Sequence, residues 1–185
     1  MKLKLRLKTV SWILASTLFC SACQSWIPEA QGLATPQWGA QNYQRQDQIE
    51  VQWKSQSFSF LLYQQQRGQS LDMLALSLTG QQLFKLSFDG QKVDVEQRIE
   101  PMKLLPFDYV VRDILYATYP NFAALHAAQN AVVQKADTIY IQQQPVLKIQ
   151  GNEGAIELDN LQVPYQMVIS TVSNTLEDDQ GDHHD

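Results

Sequence analysis

A chain of 185 residues with 14 Lys and Arg, 19 Asp and Glu and a formal net charge of −5 is long enough for one domain with a real core. Four of the bases lie in the first 22 residues, which contain no acid, so the remainder has 10 bases against 19 acids, a formal charge of −9. That balance argues against nucleic acid as a partner and against electrostatic attachment to anionic lipid.

Lys2, Lys4, Arg6 and Lys8 precede an apolar run from Val10 to Phe19. This is the basic and then apolar pattern of a secretory signal, too short to span a bilayer as a helix. The segment Leu18-Phe19-Cys20-Ser21-Ala22-Cys23 resembles a bacterial lipobox, in which small residues precede the cysteine that is acylated. Cys23 fits the lipidation position; Cys20, preceded by Phe19, does not. Cys20 and Cys23 also form a C-x-x-C spacing, but they lie in an export segment without a second ligand pair, so neither a redox pair nor a metal site is expected. With Gln24 rather than Asp after the cysteine, the lipobox implies delivery to the outer membrane, with the chain lipid-anchored and facing the periplasm.

The expected organisation is a lipoprotein signal peptide over 1–22, a lipidated tether over 23–44, one domain over 45–173 and an acidic, disordered tail over 174–185. Pro28, Gly32, Pro36 and Gly39 suppress any sustained period in the tether, although Trp26, Ile27 and Trp38 are apolar enough to pack on the domain.

Arg45 to Lys54 alternates, with Ile49, Val51 and Trp53 on one face, and predicts a half-buried strand. Ser57 to Gln65 and Leu71 to Thr79 are apolar on both faces. Leu83 to Phe88 places Phe84, Leu86 and Phe88 together, and Asp89-Gly90 predicts a type I′ hairpin leading to Val93 and Val95. Gly68, Gly80 and Gly90 punctuate this half at the spacing of an antiparallel meander.

Val110, Val111, Ile114, Leu115 and Thr118 form one helical stripe starting near Phe107 and ending at Pro120, with Asp108 and Arg112 spaced to pair. A second short helix is expected over Phe122 to Gln129, capped by Asn121. Strands resume at Ala131 to Lys135, Thr138 to Gln142, Val146 to Gln150, Ala155 to Leu158 and Val163 to Val172.

Signatures of hydrolases, metalloproteases and nucleotide-binding loops are absent from the sequence, so no enzyme activity, cofactor, catalytic residue or metal site is expected. His126 reads as a packed or solvated helix residue, Asp108 and Asp113 as surface and capping residues, and Asp182 to Asp185 as a solvated tail.

Leu78-Thr79-Gly80-Gln81-Gln82-Leu83-Phe84, Phe88-Asp89-Gly90 and Asp113-Ile114-Leu115-Tyr116-Ala117-Thr118-Tyr119-Pro120 resemble an uncharacterised lipoprotein family encoded beside aryl polyene biosynthesis enzymes. That family is in turn similar to the lipoprotein receptor LolB and its carrier LolA, open half-barrels whose helices line an apolar cleft for acyl chains. The expected fold is therefore α+β, a curved antiparallel β half-barrel with a two-helix insertion between strand blocks. The expected function is an outer-membrane lipoprotein that binds, carries or positions an acyl or aryl polyene lipid, or lipoprotein acyl chains, in an apolar cleft. Trp53, Phe58, Phe60, Leu62, Leu76, Phe84 and Leu86 are candidate cavity residues, and Val110, Ile114 and Leu115 candidate lid residues, while the plain alternative is that they fill a core. Alternative functions are a non-catalytic scaffold binding partner proteins and a hydrolase or transferase acting on the lipid.

Overall fold

The computed structural model describes residues 30–129, 132–152 and 154–172. Cys23, the signal segment and the acidic tail lie outside these residues.

Among the described residues, ten strands form one antiparallel sheet: β1 Gln44–Trp53, β2 Gln56–Arg67, β3 Ser70–Leu76, β4 Gln82–Phe88, β5 Val93–Arg98, β6 Val132–Lys135, β7 Thr138–Ile141, β8 Gln144–Asn152, β9 Ala155–Asn160 and β10 Tyr165–Thr171. Their order is β5-β4-β3-β2-β1-β10-β9-β8-β7-β6. The first and last strands pair in the middle, setting Ile49 opposite Ile169, Val51 opposite Met167 and Trp53 opposite Tyr165. Two five-strand arms thus extend from a central β1–β10 pair, and β5 and β6 are the two free edges.

The one α-helix among the described residues, α1 Phe107–Thr118, crosses the concave face of the sheet and touches β5 at one edge and β9 in the other arm. Strands that far apart in the order meet one helix only if the sheet curves around it. The helix begins with Tyr109 and Val110 donating to Pro106 O, and it stops at Tyr119, whose extended backbone (φ −82°, ψ 129°) is the one that a following proline imposes.

The segment over Phe122–Gln129, expected to be a second α-helix, is a 3₁₀ helix. Its carbonyls are claimed by side chains: His126 Nδ1 donates to Phe122 O at 3.2 Å, and Thr35 Oγ1 donates to Leu125 O at 2.8 Å. Those contacts favour the tighter i to i−3 pattern begun by Ala124 N donating to Asn121 O.

The expected type I′ turn at Asp89-Gly90 is instead a four-residue loop. Only Gly90 has positive φ (90°), while Asp89 Oδ1 accepts from the backbone N–H groups of Gln91 and Lys92 and so supplies the turn through its side chain.

Residues 30–43, assigned from sequence to the tether, run as a strap over the side of α1 that faces away from the sheet. Thr35 N donates to Gly90 O at the β4–β5 turn, whereas an ideal Cβ on Gly32 would lie 2.4 Å from Ile141 Cδ1 on β7, so the strap touches both arms. Tyr116 OH also donates to Gly32 O. With sheet on one side and strap on the other, α1 is buried nearly all round, including Arg112 and Asp113.

Candidate functional site

Alternation decides which side chains line the concave face. Ile49, Val51 and Trp53 of β1, Phe60 and Leu62 of β2, Phe84 and Leu86 of β4, and Tyr165, Met167 and Ile169 of β10 all point inward and are buried. Phe58 shares their parity but sits near the β1–β2 turn, where it is half-buried. Leu76 does not join them. On β3 the buried set is Leu71, Met73 and Ala75, and Leu76 pairs with the outward-facing Leu61. Both parities of β3 are apolar, so period alone could not choose, and the neighbouring register decides.

From the other side, Val110, Ile114 and Leu115 of α1 descend onto this face, each at most 1% exposed. Phe84 makes an edge-to-face contact with Phe60 (ring centroids 5.4 Å) and another with Phe107 at the start of α1 (5.0 Å). The candidate cavity and lid residues therefore occupy each other: the cleft is filled by α1. A depression of about 370 Å³ lies on the opposite, convex face, among Glu50, Gln52, Ser57, Ser59, Gln166 and Val168.

Two polar arrangements hold the cover in place; of their members, Asp113 reads from the sequence alone as a surface or capping residue and Arg112 as spaced to pair with Asp108. Arg112 and Asp113 are fully buried; Arg112 Nε donates to Asp113 Oδ1 at 2.8 Å, and the guanidinium lies 4.9 Å from the centre of the Tyr109 ring. Asp113 Oδ2 accepts from Tyr165 OH and from Asn160 Nδ2, and Asn160 Oδ1 accepts the backbone N–H groups of Gln162 and Val163. Arg112 Nη1 donates to Gln162 Oε1 (2.7 Å) and to Gln31 O (3.2 Å). One ion pair thereby joins helix, strap and β9–β10 turn. Burial pushes the Asp113 carboxyl up, against the pull of Arg112 and its other donors, and pushes the Tyr165 phenol well above its ordinary value. Arg112 Nη2 is buried without a partner.

At the far end of α1, Tyr43 OH meets Thr118 Oγ1 (3.1 Å) and Gln64 Oε1 (3.4 Å), and burial pushes its phenol to about 12. Tyr119 OH donates to Gln66 Oε1 at 2.6 Å, while the Trp38 ring of the strap stacks on the Tyr119 ring and meets Phe88 edge-on. The one sequence signal for the Arg112 latch was a charged pair beside a helical apolar stripe. Reading it required knowing that a strap covers the helix's second side.

Fold and site define a small antiparallel-sheet domain with a latched internal helix over an apolar concave face. The chain belongs to the family described as protein of unknown function, DUF3261, which it matches over residues 44–173. No curated protein matches it.

Proposed function

We propose that this is a non-enzymatic, lipid-anchored outer-membrane lipoprotein that receives or positions an acyl or aryl polyene chain on the concave face of its sheet. In this reading, which follows the resemblance to the LolA and LolB half-barrels, Cys23 is the acylated residue and α1 is a displaceable cover. The observation that supports it most is that a large apolar sheet face, between two edges that do not pair, is covered by one latched helix rather than by a second sheet.

Burying Val110, Ile114 and Leu115 contributes roughly 5–9 kcal/mol in total, and an inserted chain gains about 0.8 kcal/mol per methylene, so about ten methylenes would replace the contacts of these three side chains. A second reading, a scaffold that binds partner proteins, is favoured by the way the candidate residues fill their own space.

The test is native mass spectrometry with lipid extraction on the full chain from cells that make aryl polyene and cells that do not, combined with a photo-crosslinker, p-benzoylphenylalanine, introduced at Phe84 or at Leu76. The lipid reading expects co-purifying acyl or polyene species, crosslinked from the concave position 84 and not from the convex position 76. Folded, ligand-free protein from both strains, without crosslinks, would transfer the assignment to the scaffold. Turnover of the lipid would identify a hydrolase or transferase.

A further inference from the structure

The two ends of the sheet differ in what their turns display. One end is formed by the β1–β2, β3–β4, β7–β8 and β9–β10 turns and by the 3₁₀ segment Glu100–Leu104 that follows β5. Among the described residues, the exposed large apolar side chains are Tyr63, Leu78, Leu104, Val133 and Leu161. Tyr63 and Val133 lie on strands. The other three lie off the strands, at 61%, 59% and 48% exposure, and all three are at this one end. The turns at the opposite end present Gly68, Asp89, Lys92 and Asp137 instead.

Each exposed leucine stands on a pinned backbone. Leu78 is in a turn closed by Ser77 N donating to Gln81 O (2.7 Å) and Gly80 N donating to Ser77 O (2.8 Å). Leu104 is turned outward because its neighbours Met102 and Leu105 are buried. Leu161 N donates to Val146 O at 3.0 Å, and Val163 just beyond it is buried. These side chains are held out in water rather than left there by loose chain, at three separate places along one rim.

Charge at the rim departs from that of the chain. In a protein of net charge −5, the residues of these turns include a single acid, Glu100, and it pairs with Lys103 at 2.7 Å; Lys54 adds a further cation. The N-terminal strap reaches the same end, since Arg112 Nη1 donates to both Gln31 O and the side chain of Gln162, the residue after Leu161. Gln31 lies eight positions after Cys23, a reach of at most about 28 Å.

We propose that this rim is the surface that meets the lipid bilayer, with Leu78, Leu104 and Leu161 in the interfacial layer and Lys54 and Lys103 at head-group level. The proposal rests on the lipid-anchored reading and adds an orientation to it. Acyl chains on Cys23 hold the domain at the membrane, and the apolar rim turns the end at which α1 begins toward it. A lipid chain would then pass between bilayer and concave face without crossing water.

The experiment uses the full lipidated chain in vesicles of phosphatidylethanolamine and phosphatidylglycerol, with the environment-sensitive fluorophore NBD attached to single variants Leu78→Cys, Leu104→Cys, Leu161→Cys and, at the opposite end, Lys92→Cys. All four sites are exposed, so labelling leaves the core intact. Doxyl-labelled lipid is expected to quench the three rim positions several-fold more than position 92. Equal quenching at all four sites in protein that floats with the vesicles would overturn the rim while leaving the anchor standing. A chain that bears no lipid on Cys23 and does not float would overturn the anchored reading, and the orientation with it.

Discussion

Tyr165 at the start of β10 donates its hydroxyl hydrogen to Asp113 Oδ2 in the middle of α1, and Asn160 Nδ2 reaches the same oxygen at 2.6 Å. The helix is thus tied to the sheet by a carboxyl, itself paired with Arg112, in a site from which water is excluded. Such a pair costs desolvation energy comparable to its mutual attraction, so it specifies where the helix sits more than it stabilises the fold. Arg112→Met, which removes the guanidinium from beside the buried Asp113 and leaves the carboxyl only its Tyr165 and Asn160 donors, should lower unfolding free energy by about 3–5 kcal/mol in urea denaturation. Adding Asp113→Leu should restore most of that loss. A double variant no more stable than the worse single one would sink this account of the latch.

His126 makes a pH-dependent contribution of definite sign. Its Nδ1 hydrogen is donated to Phe122 O, its Nε2 is buried without a partner, and the Tyr116 and Phe122 rings lie beside it. Burial therefore holds its pKa below the ordinary 6.5. The unfolded chain binds the proton more readily, so stability is complete above 6.5 and is lost as pH falls through the lower folded value. Thermal midpoints at about pH 8 and about pH 5 should differ less in His126→Gln than in the parent. An unchanged difference would assign the acid sensitivity elsewhere.

The strands around Ile49, Phe60 and Phe84 and the stripe of α1 were legible because each repeats at one period and buries one consistent set. Leu76 was misplaced because Leu74 and Leu76 alternate with Met73 and Ala75, and two apolar sets in register carry no information about which faces the helix. The strap was illegible for another reason. Its contacts are non-local, Thr35 reaching Leu125 across 90 positions, and no periodicity encodes a segment whose partners are a turn carbonyl, a 3₁₀ carbonyl and an aromatic cluster. Once the strap is absent from the reading, Arg112 and Asp113 fall on a face that looks solvated.

Gly90 and Gly80 separate backbone strain from contact. Both have φ near +85° to +90°, but a Cβ at Gly90 would meet Trp38 Cβ and Cγ at 2.4 Å, whereas nothing lies within 4 Å of one at Gly80. Alanine at either position incurs the left-handed penalty of about 1–3 kcal/mol. Gly90→Ala should cost more than Gly80→Ala and should also shift Trp38 off Tyr119 and Phe88, seen as a red-shifted tryptophan emission and faster proteolysis before Tyr43. Equal costs and unchanged emission would mean that the strap is not seated against the β4–β5 turn.

The assignment of faces on β3 and β4 has a direct energetic consequence. Phe84 is 1% exposed between Phe60 and Phe107, so Phe84→Ala removes a ring from both contacts and leaves a void beneath α1, at a cost of about 3–5 kcal/mol. Leu76 on the convex face borders no such space, and Leu76→Ala should cost well under half as much despite the similar apolar character of the two residues. Urea midpoints of the two variants measure this directly. If the void beneath α1 also lets an apolar probe enter, Phe84→Ala should gain binding of a fluorescent fatty acid that Leu76→Ala does not, because only the former empties the space that the helix and the sheet now fill together.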